Sequence, residues 1–158
     1  MLVKDIMGCS VRSVREETPL SEVVSLMCLY RYSGLPVVDD KGKLMGFVAE
    51  KDVLARMFPS LEDLLDGGGM ASVDMDQMMG KYKDVIQLKV KDIMTHGGIS
   101  ITPTTHVLRA ASVMARNRFR RIPVTDGGIL VGMITMGDVH KAIFKVNIAD
   151  AVAAAKLL

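Results

Sequence analysis

Apolar residues fall at Leu20, Val23, Val24 and Met27, and again at Val107, Ala110, Ala111 and Met114. Both sets follow the i, i+3, i+4, i+7 spacing of one helical stripe and predict amphipathic helices over 20–32 and 106–118. Thr18 is placed to cap the first helix, with Pro19 at the first helical position, where its missing N–H costs nothing; Thr105 is the matching cap. Short apolar runs predict one strand before each helix, near 11–14 and 99–101. Two more follow each helix, near 35–39 and 44–50, then near 122–125 and 130–136. Asp39-Asp40-Lys41-Gly42 and Asp126-Gly127-Gly128 are the turns between the paired strands. A second helix is expected to start near Lys51 and near Gly137, so each half reads β-α-β-β-α.

The halves are one unit written twice. Val3-Lys4-Asp5-Ile6-Met7 recurs verbatim as Val90-Lys91-Asp92-Ile93-Met94, a shift of 87 positions. The same shift carries Leu35-Pro36-Val37 onto Ile122-Pro123-Val124; after one deletion in a turn, a shift of 86 carries Gly46-Phe47-Val48 onto Gly132-Met133-Ile134 and Asp52 onto Asp138. A unit of about 55 residues buries only a marginal core by itself. The expected fold class is therefore α+β, two β-α-β-β-α repeats packed face to face with pseudo-two-fold symmetry and clefts where they meet. Residues 1–58 form repeat 1, 59–89 a linker with helical segments, 90–146 repeat 2, and 147–158 a helical tail. In the linker, Ser60 to Asp66 reads as a short acidic helix broken by Gly67-Gly68-Gly69, and 72–88 as a further helix. The glycine triplet is no phosphate loop, because no Gly-Lys-Ser/Thr follows it and no strand leads in.

Composition narrows the function classes. Nearly half of the 158 residues are apolar and 24% are charged, as expected of a folded core in water. The apolar runs are too short for a transmembrane helix, and the acid-bearing N-terminus does not read as a secretory signal. Cys9 and Cys28 make no metal or redox spacing, which favours a reduced, cytoplasmic chain. His96, His106 and His140 share no ligand spacing, and no nucleophile motif or carboxylate pair is set up for catalysis, so neither an enzyme nor a metal site is expected. Charge is uneven. Between 91 and 146 stand Lys91, Arg109, Arg116, Arg118, Arg120, Arg121, Lys141 and Lys145, against Asp92, Asp126 and Asp138. Such a basic region attracts phosphates. Nucleic-acid binding is set aside because aromatic residues are few and no reading element is present.

The Val-Lys-Asp-Ile-Met openings, the Leu/Ile-Pro-Val runs and the Gly-x-x-x-x-x-Asp endings together resemble the tandem cystathionine-β-synthase (CBS) domain family, the Bateman module. The resemblance implies a regulatory module that binds AMP, ADP, ATP or a related adenosyl ligand, S-adenosylmethionine included, between its repeats, with no catalytic cofactor. It also implies a homodimer and an effector protein as partner, and signalling by conformational or oligomeric change. The family signature Gly-h-x-Thr/Ser-x-x-Asp is intact as Gly132-Met133-Ile134-Thr135-Met136-Gly137-Asp138. Asp138 is expected to grip both ribose hydroxyls, Thr135 to reach the sugar or a phosphate, and the helix start to favour the phosphates. The rival reading of Asp138 is a plain helix cap.

By the same resemblance Arg120 and Arg121 aim at phosphate, and guanidinium forks suit phosphate oxygens. The main site adds Ile134 and Pro123, and borrows Thr18, Val23, Tyr32 and Ser33 from the other repeat. A weaker second site comprises Asp52, Thr105, Ala110, Phe119 and Ile101, with Arg120 at its edge. It is weaker because Ala49 replaces the signature hydroxyl, Glu50 adds an anion, and Ser33-Gly34 stand where repeat 2 has Arg120-Arg121. The alternative to a nucleotide sensor is a ligand-free dimerisation or scaffold module.

Overall fold

The structure, a computed structural model, describes residues 1–58 and 74–155, with side chains as far as Ile148. The elements are α1 (Leu20–Tyr30), β1 (Gly34–Val38), β2 (Leu44–Ala49), α2 (Glu50–Ala55), α3 (Met75–Val85), β3 (Thr95–His96), α4 (Val107–Asn117), β4 (Arg121–Asp126), β5 (Ile129–Thr135) and α5 (Met136–Ala155). Single 3₁₀ turns cover Val3–Asp5 and Val90–Asp92. The acidic helix and glycine triplet expected over 60–69 lie outside the described residues. The tail expected as a separate helix is, through Ala155, the continuation of α5. Among the described residues no helix is long and apolar enough to cross a membrane.

The chain forms two compact units: Arg12–Gly98, and Met1–Val11 together with 99–158. Each repeat's opening pentapeptide has therefore left its own repeat. Val90, Ile93 and Met94 pack into the core of the first unit with Val14, Leu20, Val23, Met27, Leu35, Val37, Val48, Val53 and Val85. Val3 packs into the core of the second unit with Ile101, Ala110, Met114, Ile122, Val124, Ile134 and Val139. Each opening turn closes on itself through its aspartate: Asp5 Oδ2 accepts the Leu2 N–H at 2.7 Å, and Asp92 Oδ2 accepts the Lys89 N–H at 2.8 Å.

The two sheets share one register. β1 and β2 pair antiparallel with Gly34 opposite Ala49 and Pro36 opposite Phe47; β4 and β5 pair with Arg121 opposite Thr135 and Pro123 opposite Met133. Both ladders slip at the same place, between Val37 and Val38 and between Val124 and Thr125. The strands expected at 11–14 and 99–101 shrink to single parallel bridges, Val14 to Val37 and Ile101 to Val124. On the other edge the exchanged opening joins: β3 pairs with β2, and Gly8 bridges Met133 of β5. A Cβ on Gly132 would lie 2.7 Å from Met7 Sδ and 3.1 Å from the Gly8 carbonyl; one on Gly46 would meet Met94 and the Thr95 carbonyl. The glycine that both endings carry is thus a close approach to the guest strand.

Helix starts correct the sequence reading. Thr18 does not cap α1; its hydroxyl accepts the Arg15 N–H at 3.0 Å. Pro19 occupies the cap position, and the first free N–H groups of α1 go to the exchanged segment, Leu20 N–H to the Leu88 carbonyl at 2.8 Å and Ser21 N–H to the Ile86 carbonyl at 3.0 Å. Thr105 likewise gives way to His106, whose Nδ1 accepts the Leu108 N–H at 3.3 Å, while the Val107 N–H goes to the Met1 carbonyl at 3.3 Å. A donor that finds a fixed carbonyl has no need of a side-chain cap. The guest segment is also held by charge: Glu17 receives Lys89 Nζ and Lys91 Nζ, each at 2.6 Å.

Two predictions follow from this exchange. Val3 and Val90 are fully buried, so Val3→Ala and Val90→Ala should each cost about 1–3 kcal/mol. Hydrogen exchange should lose protection in 99–148 for Val3→Ala and in 12–58 and 74–98 for Val90→Ala. The Lys89 and Lys91 hydrogen bonds hold the Glu17 carboxyl down at about 2 from an ordinary 4.5. A lowered folded-state pKa favours the fold above the ordinary value, and that contribution disappears as pH falls through about 2. Thermal melts of wild type and Glu17→Gln should therefore differ at about pH 5 and converge as the pH approaches about 2.

Candidate functional site

The strand-to-helix turn at Thr135 carries a reciprocal side-chain hydrogen-bond network. β5 ends at Thr135, and α5 begins at Met136 with Asp138 at its third residue. Asp138 Oδ2 accepts the Thr135 N–H at 2.9 Å and the Thr135 hydroxyl at 2.7 Å, and the same hydroxyl accepts the Asp138 N–H at 3.1 Å. This is a reciprocal capping box, which fixes how α5 leaves the sheet. The cap reading of Asp138 is therefore correct as far as Oδ2 goes. Asp138 Oδ1 takes no hydrogen bond among the described residues. The Met136 N–H is taken by the Arg120 carbonyl at 2.9 Å, so the residue before β4 clasps the start of α5.

Arg121 faces Thr135 across the β4–β5 ladder. Its Nε is shut off from solvent and has no hydrogen-bond partner among the described residues. A shielded guanidinium donor without an acceptor is costly. Arg120 is exposed, as are Arg116 and Arg118. α4 ends at Arg118 in the left-handed region (φ 56°), a turn that glycine usually makes and that sends the chain directly to Arg120 and Arg121. The structure thus brings Thr135, Asp138, Arg120 and Arg121 together in one unit. Ile134, fully buried, and Pro123, also buried, lie under them as core.

The equivalent turn in the other unit is stripped down. Asp52 Oδ2 accepts the Ala49 N–H at 3.0 Å, but Ala49 has no hydroxyl to receive the Asp52 N–H. Gly34 stands opposite Ala49 where Arg121 stands opposite Thr135. A Cβ there would run into the Phe47 ring and come within 2.9 Å of the Val48 carbonyl, so with Phe47 in place no arginine fits. The Ser33 carbonyl takes the Glu50 N–H at 3.1 Å, the counterpart of the Arg120 clasp.

The remaining expected residues divide by burial. Val23 and Ala110 are fully buried on the inner stripes of α1 and α4, like Ile134 on β5. Their side chains are core; the backbone of these segments is what remains for any ligand contact. Ile101, 9% exposed, is held in its bridge to Val124. Thr18 and Thr105 are half-buried in their pre-helix turns, Thr105 sharing its hydroxyl with Thr102 at 3.1 Å. Tyr32 is half-buried and stacks on Tyr30 at 5.7 Å; Tyr30 carries the Arg12 guanidinium 4.0 Å from its ring centre. Ser33 and Phe119 are exposed. The Arg12–Tyr30–Tyr32 stack has no sequence periodicity to announce it, and the pairing of Arg121 with Thr135 needed the strand register.

Register, turn and repeat define a tandem α+β protein whose two copies keep one scaffold and differ in the chemistry of one turn. The chain belongs to the CBS domain family, whose profile matches residues 3–58 and 90–145. It is 32% identical over 154 residues to the uncharacterized protein MJ1426 of Methanocaldococcus jannaschii, covering 90% of this chain and 91% of that one. It is 30% identical over 146 residues to the chloroplastic CBS domain-containing protein CBSX1 of Arabidopsis thaliana, covering 85% of this chain and 59% of that protein's length. Among solved structures it resembles the CBS-pair protein CBSX2 from Arabidopsis thaliana (TM-score 0.76, 26% identity, 92% of this chain and 96% of that one). It also resembles CBSX2 in complex with AMP (TM-score 0.70, 27% identity, 92% and 98%).

The difference between the two turns is testable without any ligand. Ala49 lies in extended backbone (φ −121°, ψ 155°) that threonine adopts freely. Ala49→Thr should complete the second capping box and raise stability by about 0.5–1 kcal/mol, read as a higher urea midpoint at unchanged slope.

Proposed function

We propose that this chain is a regulatory module that senses an adenosine nucleotide, with its main site at Asp138. The observation that carries the reading is the meeting of Arg121, Thr135 and Asp138 at one turn: an unpartnered guanidinium nitrogen, a hydroxyl and a carboxylate with a free oxygen. A nucleotide offers the complementary set, phosphate oxygens for the arginine and a vicinal diol for the carboxylate. AMP is bound by the similar protein CBSX2, which supports an adenosyl ligand. AMP, ADP, ATP and S-adenosylmethionine all carry the diol, and the arginines favour those with phosphate.

The second site is the weaker one, because Gly34 and Ala49 offer neither cation nor hydroxyl. Those two residues are also the observation favouring a scaffold role for repeat 1. In this reading the chain performs no reaction. The ligand stabilises the state that binds it, and a homodimer or an effector protein reads the change. At a hundred times its dissociation constant such a ligand contributes about 2.7 kcal/mol to the bound state.

Calorimetry with AMP, ADP and ATP tests the reading. Binding is expected with a dissociation constant between about 1 μM and 1 mM, and Asp138→Ala should weaken it by at least about tenfold, or 1.4 kcal/mol. Asp52→Ala should leave the main binding event in place. Heat unaffected by Asp138→Ala would refute the site.

A further inference from the structure

We propose that residues 1–11 are a docking segment that copies of this chain exchange, each lending it to the second unit of the other, and that a missing charge clamp leaves it free to do so. The proposal is independent of any ligand. The two openings share one sequence and dock through equivalent bonds. The Val3 and Lys4 N–H groups donate to the Thr105 and Pro103 carbonyls at 2.8 and 2.9 Å. The Val90 and Lys91 N–H groups donate to the equivalent carbonyls of Thr18 and Glu16 at 3.0 and 2.9 Å. Gly8 bridges Met133 where Thr95 pairs with Phe47. The docking reads backbone and one fully buried valine, so any chain that carries this opening satisfies it, and a second copy carries it.

The openings differ in how firmly they are held. At the second, Lys89 and Lys91 both bind Glu17 at 2.6 Å, and Arg56 Nη2 donates to the Asp92 carbonyl at 2.9 Å. At the first, the counterpart of Glu17 is Thr104, whose hydroxyl is shared with Thr102 at 3.2 Å, and the counterpart of Arg56 is Ala142. Among the described residues neither Lys4 nor Asp5 makes an ion pair. Backbone bonds and burial alone therefore hold the first opening in place. The chain leaves it through Cys9 and Ser10, both exposed, and enters the other unit at Arg12. When two copies trade segments, each bond given up is made again, and the net cost is that of bringing two chains together. Chain concentration offsets that cost.

The test is disulfide trapping in the full chain, with the exposed Cys9 and Cys28 changed to serine. Leu2 bridges His106, so copies with Leu2→Cys are mixed with copies with His106→Cys and oxidised while folded. Both changes in one chain should link within the monomer, which shows that the pair can close. In the mixture a linked dimer should accumulate, faster at higher chain concentration. Excess synthetic peptide of residues 1–8 should suppress it, and the same peptide with Val3→Asp should not. Thr104→Glu in both copies supplies a carboxylate for Lys4, as Glu17 does for Lys91, and should slow linking about twofold to fivefold. Linking no faster than for Leu2→Cys mixed with Leu29→Cys, an exposed position in the other unit, would overturn the exchange. Linking unchanged by Thr104→Glu would overturn the part given to the missing clamp.

Discussion

A helix begins with N–H groups that have no partner within it, and burying that end requires acceptors from elsewhere. In α1 the acceptors are the carbonyls of Leu88 and Ile86, more than sixty residues away; in α4 the first is the carbonyl of Met1. Around these bonds the exchanged openings are built. Val90 and Val3 fill the floor beneath each helix, β3 and Gly8 extend each sheet, and Gly46 and Gly132 leave room for them. The Val-Lys-Asp-Ile-Met repeat is therefore a structural plug as much as a family mark: valine for the core, aspartate to close the turn, and lysine at the rim, where Lys91 meets Glu17.

The same scaffold supports two different turns. In repeat 2 threonine, aspartate and arginine converge on one strand-to-helix junction. In repeat 1 the register is identical and the chemistry is withdrawn by three substitutions, Ala49, Gly34 and the Phe47 ring that keeps Gly34 small. Because the backbone is shared, the contrast isolates what the side chains add. With Thr135 and Asp138 the box is complete; with Ala49 and Asp52 half remains.

Much of this was legible in the chain itself. The helical stripes located α1 and α4 to within two residues, and the constant offset announced the repeat, because apolar periodicity and duplication are properties of the sequence alone. The caps were misassigned for a physical reason: Thr18 and Thr105 have the right type and place, but competing carbonyls and His106 Nδ1 took the donors. Val23, Ala110 and Ile134, expected at the site by resemblance, have their side chains in the two cores. The destination of each opening was illegible, since two identical pentapeptides carry no sign of which hydrophobic floor they fill. The Arg121–Thr135 pairing required knowing which residues face each other across a ladder.

The crossing of the openings also orders events on the ribosome. Arg12–Gly98 is one continuous stretch, so every part of that unit has been synthesised before the residues that follow Gly98. The other unit joins the first eleven residues to residues from 99 onward. Its first segment is made before Arg12–Gly98 and cannot meet its core until residues beyond Gly98 have been synthesised. Domains fold as units once their residues are available. The continuous unit is therefore complete in the nascent chain before the divided one can close.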